Sequence, residues 1–195
     1  MNTKIDIRRL RDVNRLAKAG AETVATNLQQ LTGVRTEMEI TKINVIDVED
    51  LGAHLGREKR VGVNVPLLER PHGSVLVLFS DESAKTLAQT LLGETGSEGP
   101  GYTELERSAI REVGNIMTSG FIDGWANVLG RTIDISTPQL LRAAGDDIVD
   151  HCVDAGGQEI AMLFDSTLTA PDADIEITIY TFPNVEEFVR LINSM

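Results

Sequence analysis

The sequence is short of cysteine, of lysine and of long apolar runs, and each shortage excludes something. With one cysteine, Cys152, no intrachain disulfide can form, which suits a reducing compartment. The longest uninterrupted aliphatic–aromatic run is Val75–Phe79, far too short to cross a bilayer. The opening MNTKIDIRRLRD carries no apolar core of signal-peptide length behind its charges. Together these features lead us to expect a soluble, cytoplasmic protein. The spaced glycines of GETGSEGPG, from Gly93 to Gly101, lack the Lys-Ser/Thr of a phosphate loop and the flanking strand of a dinucleotide site, so no nucleotide site is read there. His54 and His72 stand alone near turns, and no Ser/His/Asp or Cys/His arrangement can be assembled.

Positive charge is also scarce. Thirty acids against eighteen Lys and Arg give a net charge of −12, which argues against nucleic acid or an anionic membrane as partner. The imbalance is uneven. Residues 1–42 hold eight bases and five acids, a balance of +3, leaving ten bases and twenty-five acids, a balance of −15, for the rest. Only five of the bases are lysine. Such an acidic, lysine-poor surface suits a high-salt cytoplasm, where screening removes self-repulsion.

What is present is a globular composition, 42% hydrophobic and 25% charged, over 195 residues: enough for one domain or two intimately packed halves. Residues 5–32 keep a helical period through Ile7, Leu10, Val13, Leu16, Val24, Leu28 and Leu31 and stop at Gly33. Val34–Val48 reads as strand, Val61–Val65 as a short strand, Pro66–Gly73 as turn and Ser74–Ser80 as a strand covered on both faces. Ser80 or Asp81 can cap a helix running to Leu92. After the linker the order begins again. A long helix, Thr103–Leu129, opens with Thr103 and Glu106 at capping-box spacing and ends at Gly130. Thr132–Thr137 reads as strand, Ala143–Val153 as a short helix or irregular crossing, Glu159–Phe164 and the alternating Asp174–Thr181 as strands, and Asn184–Ile192 as a capped terminal helix.

Setting Gly33 against Gly130 aligns the two halves and indicates an internal duplication. The expected fold is α+β: a pseudo-two-fold duplicated α-β-β-β-α repeat forming one mixed or antiparallel sheet with two long helices packed on it. The expected organisation is a single domain, residues 1–195, of a first repeat (1–93), a linker (94–102) and a second repeat (103–195).

On the second long helix, Ser108, Glu112, Asn115 and Ser119 share the face opposite the apolar one. Spacing alone reads as an ordinary solvated stripe. The pattern Ser108-x3-Glu112-x2-Asn115, followed after twenty-two residues by Pro138, however, resembles the signature of the CheC/CheX/FliY chemotaxis phosphatases, Asp/Ser-x3-Glu-x2-Asn-x21/22-Pro. The string SAIREVGNI resembles that family's helix sequence, and the α-β-β-β-α repeat extends the likeness over essentially the whole chain.

The resemblance implies hydrolysis of the aspartyl phosphate on a phosphorylated CheY-type response regulator. It makes Glu112 and Asn115 the catalytic pair, Ser108 a partner contact and Pro138 a structural element of the motif. It implies no cofactor of the protein's own, since the regulator would bring its Mg²⁺, and a CheD-type receptor deamidase as a further partner. In the first half the motif positions align with Arg11, Arg15, Lys18 and Thr41, so one centre is expected. The rival expectation is a non-catalytic adaptor of the same fold, with the basic stripe of Arg8, Arg11, Arg15 and Lys18 attracting an acidic partner. A flagellar-switch component is a third. Asp150, His151, Cys152 and Asp154 contain metal-ligating types, but adjacent residues point apart, and a surface turn with a buried thiol is the reading adopted. Trp125 reads as core or interface.

Overall fold

A computed structural model describes residues 9–93, 101–152, 159–170, 172 and 175–195, giving the backbone alone for residues 38–41. The first half runs α1 (Leu10–Thr32), β1 (Glu37–Asp47), α2 (Val48–Leu55), β2 (Arg60–Leu67), β3 (Gly73–Phe79) and α3 (Asp81–Leu92). The second repeats the order with α4 (Glu104–Leu129), β4 (Gln139–Ala143), α5 (Gly145–Cys152), β5 (Ile160–Ala170), β6 (Ile175–Pro183) and α6 (Val185–Ser194). Local chemistry sets the boundaries. The Ser80 hydroxyl accepts from Ser83 N–H at 2.9 Å to open α3, and the Asn184 side chain accepts from Glu187 N–H at 3.1 Å to open α6. Gly33 and Gly130, at φ 70° and 63°, close the two long helices in the left-handed conformation that costs glycine little.

The strands form one sheet in the order β1-β5-β6-β3-β2-β4, every neighbouring pair antiparallel. Exchanging β1 with β4, β2 with β5 and β3 with β6 turns this order into its own reverse, so a pseudo-two-fold axis passes between β3 and β6. Both sheet faces are covered. Alternate residues of β3 show why its sequence is a continuous apolar run: Val75, Val77 and Phe79 enter a core with α1, α3, α4 and α6, and Leu76 and Leu78 enter a second core with α2 and α5. All five are fully buried, and each such burial contributes roughly 1.5–3 kcal/mol.

The long helices cross with their backbones in contact. A Cβ on Gly124 of α4 would stand 2.5 Å from Gly20 Cα of α1, so no side chain fits between them. Beside this crossing, Trp125 is fully buried among Phe121, Phe164 and Phe188, with ring centroids 4.9–5.7 Å away, and is therefore core.

The structure corrects two sequence expectations and sharpens two others. The strand placed at Thr132–Thr137 is absent as a regular element; β4 begins at Gln139, and only an isolated bridge joins Ile135 to Leu67. The β2–β4 register pairs Asn64 with Gln139, and continuing it would set Pro138 against Val65 and Thr137 against Pro66. Prolines have no N–H to donate, so the regular ladder breaks off there, and beyond it Ser136 N–H donates to Pro66 O at 2.8 Å and Leu68 N–H to Asp134 O at 2.9 Å. Val48, expected to end a strand, instead opens the helix Val48–Leu55, which buries Leu51 and Leu55 one turn apart. Ala143–Val153 resolves into the helix α5 over its described part. In the alternating β6 the polar Thr178 and Thr181 are buried along with the apolar residues, because this strand lies at the centre of a sheet covered on both sides. The linker residues 94–100 and Arg8 of the basic stripe lie outside the described residues.

Candidate active site

The site is built on α4. Its first turn is fixed by the expected capping box: Thr103 Oγ1 accepts from Glu106 N–H at 3.2 Å, and Glu106 Oε2 accepts from Thr103 N–H at 2.7 Å. The apolar face then buries Ile110, Val113, Met117 and Phe121 against the sheet and α1. With that face committed, the 3.6-residue period turns Ser108 and Glu112 outward, where both are exposed, and leaves Asn115 and Ser119 half-buried at the margin. Among the described residues, no side-chain hydrogen bond or ion pair engages Glu112 or Asn115.

Gly114, next to Asn115, sets how close this stripe comes to the sheet. A Cβ there would run into the side chain of Val63 of β2, so the backbone of α4 rests directly on that side chain. Val63 pairs with Leu140 of β4, and Leu140 packs into the same core. Pro138, half-buried, stands two residues before Leu140, immediately ahead of β4. The fold thus brings the helix carrying Asn115 and the edge strand introduced by Pro138 to one corner of the sheet. Sequence reasoning did not single out Gly114, although a glycine in the middle of a long helix was a signal that something approaches closely.

In the first half, Arg11, Arg15 and Lys18 form an exposed stripe on α1. Arg15 stands 3.8 Å from Asp12, and Lys18 3.6 Å from Glu22. Nothing is described for the side chain of Thr41, which lies within β1 at an irregularity in its pairing with β5.

The His151–Cys152 region has a structural explanation. The last carbonyls of α5 accept hydrogen bonds from buried side chains, His151 O from Asn64 Nδ2 at 3.3 Å and Cys152 O from Ser74 Oγ at 2.7 Å. Burial pushes the Cys152 thiol up to about 12, far from a reactive thiolate. Asp150 and His151 are exposed and Asp154 lies outside the described residues; no group of three or more metal-ligating side chains occurs among those described.

The CheC-like family matches residues 105–142, a stretch holding Ser108, Glu112, Asn115 and Pro138. A protein of Halobacterium salinarum named "Putative CheY-P phosphatase CheC1" is 70% identical over 195 residues, covering 100% of both chains. The chain belongs to the CheC-like family. Its fold recurs at low identity in solved structures. Thermotoga maritima FliY superposes with a TM-score of 0.77 at 15% identity, over 97% of this chain and 96% of that one. CheX in a CheX–CheY–BeF3–Mg complex from Borrelia burgdorferi gives a TM-score of 0.60 at 19% identity, over 86% and 97%. No helix among the described residues is long and apolar enough to cross a membrane.

Proposed function

We propose that this CheC-like protein is a phosphatase for the aspartyl phosphate of a CheY-type response regulator, acting through one centre on α4. The observation carrying this reading is the outward face of α4, where Ser108 and Glu112 are exposed and Asn115 is half-buried, its carboxamide hydrogen-bonded to no side chain among the described residues. The relative that is 70% identical along its full length bears the name of a CheY-P phosphatase, which supports the substrate class.

Little chemistry is required of the protein. An acyl phosphate is already activated, and the regulator would supply the Mg²⁺ and lysine around its phosphoryl group. Water attacks phosphorus, the bond to the aspartyl oxygen breaks, and inorganic phosphate and the free carboxylate result. The rate gain comes from holding the water in line. A carboxamide suits that task, because Asn115 can accept from and donate to one water without titrating near neutral pH. Glu112 docks the regulator through its lysine, Ser108 lines the contact, and Pro138 shapes the strand edge beside them.

A second reading is a non-catalytic adaptor binding the regulator or a CheD-type deamidase. The exposed Arg11, Arg15 and Lys18, where the second half has Ser108, Glu112 and Asn115, favour it. Mixing the protein with a radiolabelled phosphorylated regulator separates the two. The phosphatase reading expects label to leave the regulator faster than its spontaneous decay, and Glu112→Ala to weaken that effect. Binding without acceleration would leave the adaptor.

A further inference from the structure

At the N-terminal end of α4 three elements are tied through one carboxylate. Asp81, the first residue of α3, receives both arms of Arg142 from the edge strand β4, Nε to Oδ1 at 3.0 Å and Nη2 to Oδ2 at 2.5 Å. The Tyr102 hydroxyl, one residue before the α4 cap, lies 2.9 Å from Asp81 Oδ1 and 3.1 Å from its carbonyl oxygen. Arg107 of α4 closes the group by donating to Tyr102 O at 3.2 Å. The sheet places these partners in one row, since Val61 of β2 pairs with Phe79 on one side and Arg142 on the other. A two-armed Arg–carboxylate pair fixes orientation as well as distance, which a lone lysine cannot do.

This tie and the Gly114–Val63 contact are two fastenings between α4 and the β2–β4 edge. At about 1.5 Å per residue, they bracket a stretch of roughly 17 Å of helix, and Ser108 and Glu112 lie on it. Pro138 stands immediately ahead of β4, and Arg142 is the next-to-last residue of that strand. We infer that Asp81, Tyr102 and Arg142 form a positioning clamp for the docking half of the site, holding Ser108 and Glu112 at a fixed height and angle beside the β4 edge so that a phosphorylated receiver domain meets them in register. The clamp itself need not touch the partner. The inference rests on the docking role given to Glu112 in the proposed function, but not on hydrolysis.

The test therefore reads binding separately from turnover. Calorimetric titration with a CheY-type regulator loaded with beryllofluoride and Mg²⁺ measures docking of the activated receiver. Tyr102→Phe leaves the Arg142–Asp81 pair whole and cuts only its tie to α4, and Arg142→Ala removes the pair. Both are expected to weaken binding by about tenfold, with Arg142→Lys in between, while kcat at saturating regulator stays within about twofold of wild type, as for loss of ground-state docking alone. Melting curves on the same samples establish that the variants are folded. Folded variants that bind like wild type would overturn the clamp, as would a fall in kcat with affinity unchanged. A wild type that binds and does not hydrolyse would overturn the phosphatase reading while leaving the clamp to the affinity ratios; a wild type that does not bind would overturn both.

Discussion

Gly114 of α4 rests on Val63 of β2 with no room for a single methyl between them. That contact lies beside Asn115 and fixes the distance of the polar stripe from the sheet. In an open helix, glycine to alanine gains about 1 kcal/mol of helix propensity. Here we expect the opposite sign. Gly114→Ala should destabilise by roughly 1–3 kcal/mol, the usual cost of overpacking a filled core, and should lower phosphatase activity through misplacement of Asn115. Urea denaturation with unchanged m measures the first effect; a variant more stable than wild type would contradict the packing.

Two carboxylates set opposite pH dependences. Burial raises Asp165 above its ordinary 3.8, with His54 at 4.0 Å and Lys42 only partly opposing it. A carboxyl raised by folding contributes stability below its unfolded value and loses it as pH climbs through the folded one. Asp165→Asn should therefore be at least as stable as wild type at neutral pH, its advantage shrinking in acid. Asp81 is held below 3.8 chiefly by its hydrogen bonds with Arg142. Its contribution is present above 3.8 and is lost as pH falls through the folded value, so Asp81→Asn should cost stability at neutral pH. Thermal melts of both variants across the acid range check the two signs.

The sequence indicates a third prediction, in salt. With thirty acids against eighteen bases, self-repulsion should dominate at low ionic strength, and the Debye length falls from about 10 Å at 0.1 M to about 3 Å at 1 M. We expect the melting temperature to rise between low and molar salt. A flat or falling curve would show that the surface ion pairs, such as Arg190–Glu186 at 2.9 Å, outweigh the repulsion they sit within.

Legibility in the sequence followed the range of the interaction. The Thr103–Glu106 box, the Ser80 and Asn184 caps and the Gly33 and Gly130 stops are written in three or four residues each, and all are present. The motif face was legible for the same reason, because helix periodicity alone puts Ser108, Glu112 and Asn115 together. What was hidden depended on partners far along the chain. The start of β4 depends on Pro66 and Pro138 facing each other's strands, and the burial of Thr181 on where β6 falls in the sheet order. Asp81 and Arg142 are 61 residues apart, and no local pattern marks them as a pair. The eight-residue α2 was within reach, since Val48, Leu51 and Leu55 keep the helical period, but it directly follows a strand and has no side-chain cap to announce it.

The central claim is that Asn115 positions the attacking water, and the most direct measurement is kcat for dephosphorylation of a cognate CheY-type regulator by Asn115→Ala beside wild type. We expect a loss of about 10²-fold or more at saturating regulator, with the melting temperature and the affinity for the beryllofluoride-loaded regulator little changed. A variant that retains wild-type kcat would contradict the account and move the chemistry off this face of α4.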